Sequence, residues 1–147
     1  MNFQKLLKWS AIIIVGGFLV IQMVPYGRNH TNPPVQSEPN WDSPDTRALA
    51  KAACFDCHSN ETNWGRWYES VAPASWLVQH DVEEGRQFVN FSEWNQDGRP
   101  REAEELWEVL DRRNMPPAQY LILHPEAKLT TEQIDQLITG LKATVRN

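Results

Sequence analysis

The spacing of hydrophobic and polar residues divides the chain into three parts. An almost unbroken apolar run occupies residues 9–24, and a polar stretch rich in proline follows it. In the rest of the chain, apolar residues recur at the three- and four-residue intervals of amphipathic helices. The pattern predicts an all-α protein with a membrane segment (residues 1–26), a Pro-rich tether (27–42) and one domain (43–147).

The apolar run is long enough to form a single transmembrane helix. The 21 residues from Leu6 to Tyr26 can cross a hydrocarbon core of about 30 Å. The alternative is a cleaved signal peptide, but no small-x-small cleavage pattern follows the run, which favours a retained signal anchor. Lys5 and Lys8 lie at the N-terminal end of the span, so we expect a cytoplasmic N-terminus and a domain on the periplasmic side of the cytoplasmic membrane.

Proline dominates the predicted tether. Five of the ten prolines lie between Pro25 and Pro44. Proline fixes φ and removes a backbone donor, so this stretch is predicted to be extended and unpacked. Trp41 is expected to be the first residue that docks on the domain.

Capping residues predict where helices begin. Ser43-Pro44-Asp45 combines an N-cap serine, a proline at the first helical position and an acid in the first turn, and the helix it starts is expected to end at Cys54. Asp81 and the acids after it predict the start of a short helix. Residues 101–113 form a third predicted helix, whose apolar face consists of Ala103, Leu106, Trp107 and Leu110.

The last predicted helix begins after a Thr-x-x-Gln cap at Thr130 and Gln133. Its apolar stripe contains Ile134, Leu137, Ile138, Leu141 and Val145. Gly140 interrupts it at a helix-propensity cost of about 1 kcal/mol, which predicts close packing against another helix.

Charge argues against one class of function. The chain has 14 basic and 19 acidic residues, and Lys5 and Lys8 precede Pro25, so the part from Pro25 onward has 12 basic and 19 acidic residues, a charge of −7. Nucleic-acid binding requires a basic surface, so nucleic acid is not an expected partner.

Residues 54–58 (CFDCH) match C-x-x-C-H, the attachment signature of c-type haem. The thiols of Cys54 and Cys57 can add across the two vinyl groups of one haem, and His58 can bind its iron. The alternatives are a thioredoxin-like redox pair, half of a zinc site or a disulfide. No βαβ pattern surrounds the motif and no second C-x-x-C follows it, so one covalently attached haem c is favoured.

Met115 is the leading candidate for the sixth iron ligand. It is the only methionine in the predicted domain, and the two prolines after it can aim the side chain. Its thioether is a soft donor, although a methionine can also simply fill a core gap. His124 is the alternative sixth ligand, ahead of His80, whereas His30 lies in the predicted tether.

Two tryptophans and an arginine are candidates for contacts with the haem propionates. Trp76 or Trp94 could donate its indole N–H to one propionate, and Arg86 could pair with the other. The alternative for the tryptophans is core filling, which is the usual role of aromatic residues.

Six blocks of the chain resemble the bacterial haem-binding domain family of small, single-haem, cytochrome-c-like proteins, which often carry an N-terminal anchor. They are CFDCHSNETNW (54–64), VAPASW (71–76), DVEEGR (81–86), NFSEW (90–94), MPP (115–117) and HPEA (124–127). The resemblance implies a compact all-α cytochrome-c-like fold, with attachment at Cys54, Cys57 and His58 and Met115 in the distal role. Members tend to have proline where this chain has Gly65-Arg66, and glycine where it has Arg113-Asn114.

The expected function is electron transfer by a membrane-anchored protein with one six-coordinate haem c. Redox proteins at the membrane are the expected partners, and enzymatic activity is not expected. The alternatives are a haem-based sensor of a small ligand and a small peroxidase. A peroxidase would need an open iron with a distal histidine and arginine, for which His80 and Arg86 are the candidates.

Overall fold

The described part of the chain is helical. The computed structural model describes residues 2–94 and 103–146, and these contain no strand, although an isolated parallel bridge pairs Ser37 with Glu93. Two short 3-10 helices, Trp67–Ser70 and Pro125–Ala127, accompany seven α-helices: α1 (Phe3–Ile21), α2 (Pro44–Ala53), α3 (Phe55–His58), α4 (Ala74–Phe88), α5 (Ala103–Asp111), α6 (Ala118–Leu123) and α7 (Thr131–Arg146). The predicted all-α class is confirmed.

The chain forms two compact units. The first comprises Met1–Thr31 and Trp64–Asp81, and the second comprises Asn32–Asn63 and Val82–Asn147. The boundary between them falls inside α4. The C-x-x-C-H motif and Met115 both belong to the second unit.

Helix α1 is long and apolar enough to cross a membrane. It has 19 residues, none of which is buried. At 1.5 Å per residue its length is about 28 Å, close to the thickness of a hydrocarbon core.

The residues after α1 pack within the first unit. The Gln22 side-chain amide donates to Ala72 O (2.9 Å) and accepts from Ala72 N (3.1 Å). Gly27 has φ of +74°, and a Cβ there would collide with the Ser75 carbonyl. His30, predicted to lie in a free tether, stacks on Trp64 with ring centroids 4.8 Å apart. The segment therefore depends on specific contacts for its path.

The second unit has one hydrophobic core. Its buried members are Ala50, Phe55, Val89, Phe91, Trp94, Leu106, Leu110, Ile134, Leu137 and Leu141. Helix α7 packs against α2 and α5. The close approach predicted for Gly140 is confirmed, because a Cβ there would collide with the side chain of Thr46 in α2.

The predicted caps of two helices are confirmed. Ser43 Oγ accepts from Thr46 N at 3.2 Å, with Pro44 at the first position of α2. Thr130 and Gln133 form the reciprocal capping bonds of α7 at 2.8 and 3.2 Å. Cys54 is the C-cap of α2, so the motif follows this helix as predicted.

The prediction of an unpacked tether over residues 27–42 was wrong. The segment is extended, but Asn32 donates to Thr62 O, Pro34 O accepts from Asn60, and Ser37 N donates to Ser92 O. Trp41 is therefore not the first docked residue. Composition misled the prediction because extended chain can use its backbone and amide groups in tertiary hydrogen bonds without any apolar periodicity.

The predicted helix start at Asp81 was also wrong, because α4 already begins at Ala74 and Asp81 lies inside it. The buried positions of α4 include Ser75 and Gly85, whose small side chains hide the helical pattern. The third predicted helix corresponds to α5, and its first two residues, 101 and 102, lie outside the described part of the chain.

Candidate functional site

The attachment motif forms a single helical turn. His58 N donates to Cys54 O at 2.9 Å, and Phe55, between the cysteines, is buried in the core. Cys54 and Cys57 are three residues apart, the spacing that brings side chains to one face of a helix. Cys54 and Cys57 form no disulfide, and each residue as a whole is partly exposed. Two thiols on one face are what attachment to one porphyrin edge requires.

The environment of Cys54 favours a neutral thiol. Burial, with a smaller contribution from Cys57, raises its pKa to about 12. A tetrahedral zinc site would need two ligands besides the two cysteines. Among the described residues, no group of three or more His, Cys, Asp or Glu side chains could hold a metal ion. The zinc alternative therefore loses its support.

His58 is oriented by two backbone carbonyls. Its Nδ1 lies 2.8 Å from Gly85 O and 3.2 Å from Val89 O. Carbonyl oxygens only accept hydrogen bonds, so Nδ1 carries the proton and Nε2 keeps the lone pair that binds a metal. Burial lowers the pKa of His58, with the two carbonyl bonds acting in the opposite direction, and a neutral imidazole results. Both features are those of an iron-ligating histidine.

Gly85 permits this arrangement. A Cβ at this position would collide with the Cys57 carbonyl. Helix α4 therefore approaches the motif more closely than any other residue type would allow. The close approach brings the carbonyl of Gly85 within hydrogen-bonding distance of His58.

Arg86 fastens the loop that follows the motif. Its guanidinium donates to Ser59 O (2.8 Å), Thr62 Oγ1 (3.0 Å) and Asn32 Oδ1 (3.1 Å). All three acceptors are neutral. Burial lowers its pKa, although nearby Glu93 acts in the opposite direction. The pairing of Arg86 with a propionate stays a prediction.

Met115 follows a helix end with a distinctive geometry. Asn114 N donates to Val109 O (2.9 Å) and Arg113 N to Leu110 O (3.0 Å), which is the Schellman pattern. Arg113 has φ of +58°, in the left-handed region where glycine is the usual residue. Arginine thus occupies a position whose backbone conformation favours glycine. Met115 is 38% exposed, so part of the residue is accessible.

Helix α6, which follows Met115-Pro116-Pro117, is hydrogen-bonded to the attachment turn. Tyr120 Oη donates to Asp56 Oδ2 at 2.7 Å, and Asp56 lies between the two cysteines. The other carboxylate oxygen of Asp56 accepts from Asn63 N at 3.0 Å. Asp56 therefore connects the loop after the motif, through Asn63, to helix α6, which follows Met115.

His124, the alternative sixth ligand, is buried. Its ring stacks on Tyr120, with centroids 3.7 Å apart. Its Nδ1 lies 3.7 Å from Glu126 Oε1 and 3.9 Å from Asp56 Oδ2. These contacts give His124 a packing role beside the attachment turn, whereas Met115 is partly exposed.

The remaining candidates have different surroundings. Trp94 is buried in the core of the second unit and stacks on Phe91 at 5.9 Å. Trp76 and His80 belong to the first unit, and His80 is exposed. The indole Nε1 of Trp76 is buried, with no hydrogen-bond partner among the described residues. The propionate contacts of Trp76 and Trp94 stay predictions.

The helical fold and the site define a class, a helical haem-binding protein. A family model described as a haem-binding domain matches residues 16–143, and the chain belongs to this family. The resemblance inferred from the sequence blocks is thereby confirmed. No curated protein and no solved structure matches the chain significantly.

Sequence reasoning missed two features of the site. Gly85 gave a signal, because a glycine within a helical segment often marks close packing. The bond between Asp56 and Tyr120 joins residues 64 positions apart, and no local pattern announces it.

Proposed function

We propose that the protein is a membrane-anchored electron carrier with one haem c, attached through Cys54 and Cys57 and ligated by His58 and Met115. The observation that carries the proposal is the orientation of His58, whose Nδ1 is held by Gly85 O and Val89 O. A histidine fixed in this tautomer presents Nε2 as a ligand, as proximal histidines do.

The chain's own residues account for attachment and ligation. Each thiol would add its S–H across one vinyl double bond, so that sulfur and hydrogen bond to adjacent carbons and nothing is released. His58 and the thioether of Met115 would hold the haem iron. The bound haem provides a one-electron iron couple, and a methionine ligand raises its potential.

Anchoring by α1 completes the proposal. Lys5 and Lys8, in the first two turns of α1, favour a cytoplasmic N-terminus, which leaves the haem domain on the periplasmic side. The partners we propose are redox proteins at the same membrane. The domain needs no substrate-binding residues for this role, and we propose that it is not an enzyme.

Covalent attachment can be tested on a denaturing gel stained for haem. The wild-type chain should keep its stain after denaturation, and the double variant Cys54→Ala/Cys57→Ala should lose it. A double variant that keeps the stain would show that the haem is held elsewhere. Wild-type protein whose haem dissociates on denaturation would refute the c-type assignment while leaving haem binding intact.

Ligation can be tested by comparing two methionines. Met115→Ala should change the absorption spectrum of the ferric protein and lower its reduction potential, because a soft thioether is lost. Met23→Ala serves as the control, since Met23 lies just after α1 and should change neither quantity. If His124→Ala changes the spectrum and Met115→Ala does not, His124 is the ligand.

Carbon monoxide distinguishes a carrier from the alternative functions. A six-coordinate carrier should be low-spin when ferric and should bind carbon monoxide slowly when ferrous. Rapid binding together with a high-spin ferric form would indicate an open iron site. In that case a ligand sensor or a peroxidase would describe the protein better.

A further inference from the structure

Trp67 is an unusual surface residue of the first unit. It starts the 3-10 helix Trp67–Ser70, and 80% of its surface is exposed. Its described ring contact is with the edge of Tyr68, at 5.9 Å. Tryptophan has a large apolar body with one polar N–H, so it is poorly suited to bulk water and well suited to a boundary between apolar and aqueous phases.

This part of the first unit is bonded to the end of α1. Gln22, the residue after α1, makes two hydrogen bonds to the backbone of Ala72. His30 Nε2 lies 3.1 Å from Glu69 O, and Gly27 lies against Ser75. The chain from Glu69 to Ser75 is therefore held directly against the residues that leave the span.

Chain connectivity keeps Trp67 close to the same place. It lies two residues before Glu69, and a 3-10 helix rises only about 2 Å per residue. If α1 crosses the bilayer, Gln22 emerges at its surface, and Trp67 is at the depth of the lipid headgroups or close to it.

We propose that the first unit sits on the lipid surface and that Trp67 inserts into the membrane interface. The inference rests on the proposed anchoring by α1. Tryptophan and tyrosine are enriched in this layer because their rings are amphipathic. Other exposed apolar side chains of the same unit suit the same layer: Met23, Val24, Tyr26 and Leu77. Arg28, bonded to Gln22 at 3.0 Å, adds a cation suited to phosphate headgroups.

A lipid surface explains why these exposed apolar residues belong to the same unit as α1. A protein partner or a second copy of the chain would not require that they lie in the unit that contains the span. These two occupants are therefore treated as outcomes of the test.

The test measures how fast a membrane-impermeant charged maleimide modifies single cysteines in the full-length haem protein, reconstituted in liposomes. Ser70→Cys is the probe, because side chains three residues apart eclipse in a 3-10 helix and Ser70 is exposed beside Trp67. Gln136→Cys on the exposed face of α7 is the reference, and Ile13→Cys reports on the span. Each rate is divided by the rate of the same variant in denaturing detergent, after subtraction of the wild-type background.

The Ser70→Cys probe should react at least about fivefold more slowly than Gln136→Cys. Adding Trp67→Glu should restore its rate, because a carboxylate is expelled from the interface. The proposal would be overturned if Ser70→Cys reacted as fast as the reference or if Ser70→Cys and Gln136→Cys were shielded equally. It would also be overturned if the shielding survived Trp67→Glu. Shielding that depends on the protein-to-lipid ratio would indicate a second copy, and shielding confined to native membranes would indicate a protein partner. Both results would overturn it.

Ile13→Cys distinguishes a failure of the Trp67 proposal from a failure of the proposed anchoring by α1. If Ile13→Cys is shielded and the Ser70→Cys probe is not, only the seating of Trp67 fails. If Ile13→Cys reacts as fast as the reference, the proposed anchoring by α1 fails as well.

Discussion

At the scale of single residues, Gly85 controls how closely α4 approaches the attachment turn. A Cβ there would collide with the Cys57 carbonyl, and the hydrogen bond between His58 Nδ1 and Gly85 O orients the imidazole ring. The absence of a side chain at Gly85 is thus part of what shapes the proposed iron site.

Gly85→Ala should therefore destabilise the protein by roughly 1–3 kcal/mol and reduce the haem content of the purified protein. A loss of stability would be informative, because helix propensity alone would make the alanine variant more stable than the wild type by about 1 kcal/mol. Denaturant unfolding and haem staining measure the two effects. Gly65→Ala is the control, since a Cβ there meets no atom within 4 Å. A Gly85→Ala protein as stable as the wild type would contradict the role assigned to the close approach.

Arg113 shows the opposite case, a side chain where glycine would fit better. Its φ of +58° is unfavourable for a residue with a Cβ, by roughly 1 kcal/mol. In return the side chain gains one exposed hydrogen bond to Thr131 Oγ1, at 3.1 Å.

Arg113→Gly should accordingly raise the free energy of unfolding by about 0.5–1 kcal/mol and leave the absorption spectrum unchanged. Arg113→Val should lower it by about 1 kcal/mol, because a β-branched residue tolerates this conformation poorly. Thermal unfolding of the two variants and the wild type gives the order of their stabilities. The reverse order would mean that the hydrogen bond to Thr131 outweighs the backbone strain.

At the scale of elements, α6 connects the two halves of the proposed iron site. It follows Met115-Pro116-Pro117, and its Tyr120 is bonded to Asp56 in the attachment turn. The helix has little packing of its own, since none of its residues is buried and Ile122 is 79% exposed. The hydrogen bond to Asp56 is therefore expected to help position the helix, together with the stacking of Tyr120 on His124.

Tyr120→Phe should lower stability by about 1–2 kcal/mol, because a charge-assisted hydrogen bond is lost. It should also lower the reduction potential, since a looser α6 holds the thioether of Met115 less firmly. Gln119→Ala, at the exposed neighbouring position, should change neither. A double-mutant cycle with Asp56→Ala isolates the pair, and a coupling energy near zero would refute the link.

Helix α4 explains why elements are harder to predict than caps. Ser43 and Thr130 act on neighbouring residues, so their sequences are sufficient to place α2 and α7. The start of α4 is hidden because small residues, Ser75 and Gly85, occupy buried positions. Close packing selected those residues, and hydrophobic periodicity cannot detect them.

At the scale of the whole molecule, residues 32–42 belong to the second unit. Glu38 receives two hydrogen bonds of 2.6 Å from Arg47 in α2 and one of 2.8 Å from the Trp41 indole. The segment is thereby held to the domain and cannot act as a free tether. Any movement of the proposed electron carrier between redox partners would have to involve other parts of the chain.

This docking predicts a specific pH dependence. The hydrogen bond from Arg47 holds the pKa of Glu38 below its ordinary value of 4.5, with burial acting in the opposite direction. A lowered folded-state pKa contributes stability that is present above pH 4.5 and is lost as the pH falls through the folded-state value. The contribution is roughly 0.5–1 kcal/mol, because both side chains are partly exposed.

Glu38→Gln should flatten the decline of stability as the pH falls below the ordinary glutamate pKa of 4.5, as measured by denaturant unfolding at several pH values. Glu108→Gln, which removes a carboxylate from an exposed pair on α5, is the control and should leave the decline unchanged. If Glu38→Gln did not change the decline of stability at low pH, Arg47 and Glu38 would not hold the segment in solution.

The sequence by itself determined the helical class, the apolar N-terminal helix, the caps of α2 and α7 and membership of the haem-binding domain family. Each of these depends on neighbouring residues or on a composition that survives without a fold. It also gave the reason to expect close packing at Gly140.

Only the tertiary structure decided how the site is held together. The tautomer of His58 depends on carbonyls 27 and 31 residues away, and the bond from Tyr120 to Asp56 spans 64 residues. The docking of residues 32–42 likewise depends on distant hydrogen bonds. Such contacts leave no period in the sequence, because they involve backbone atoms and single polar side chains that only the folded chain brings together.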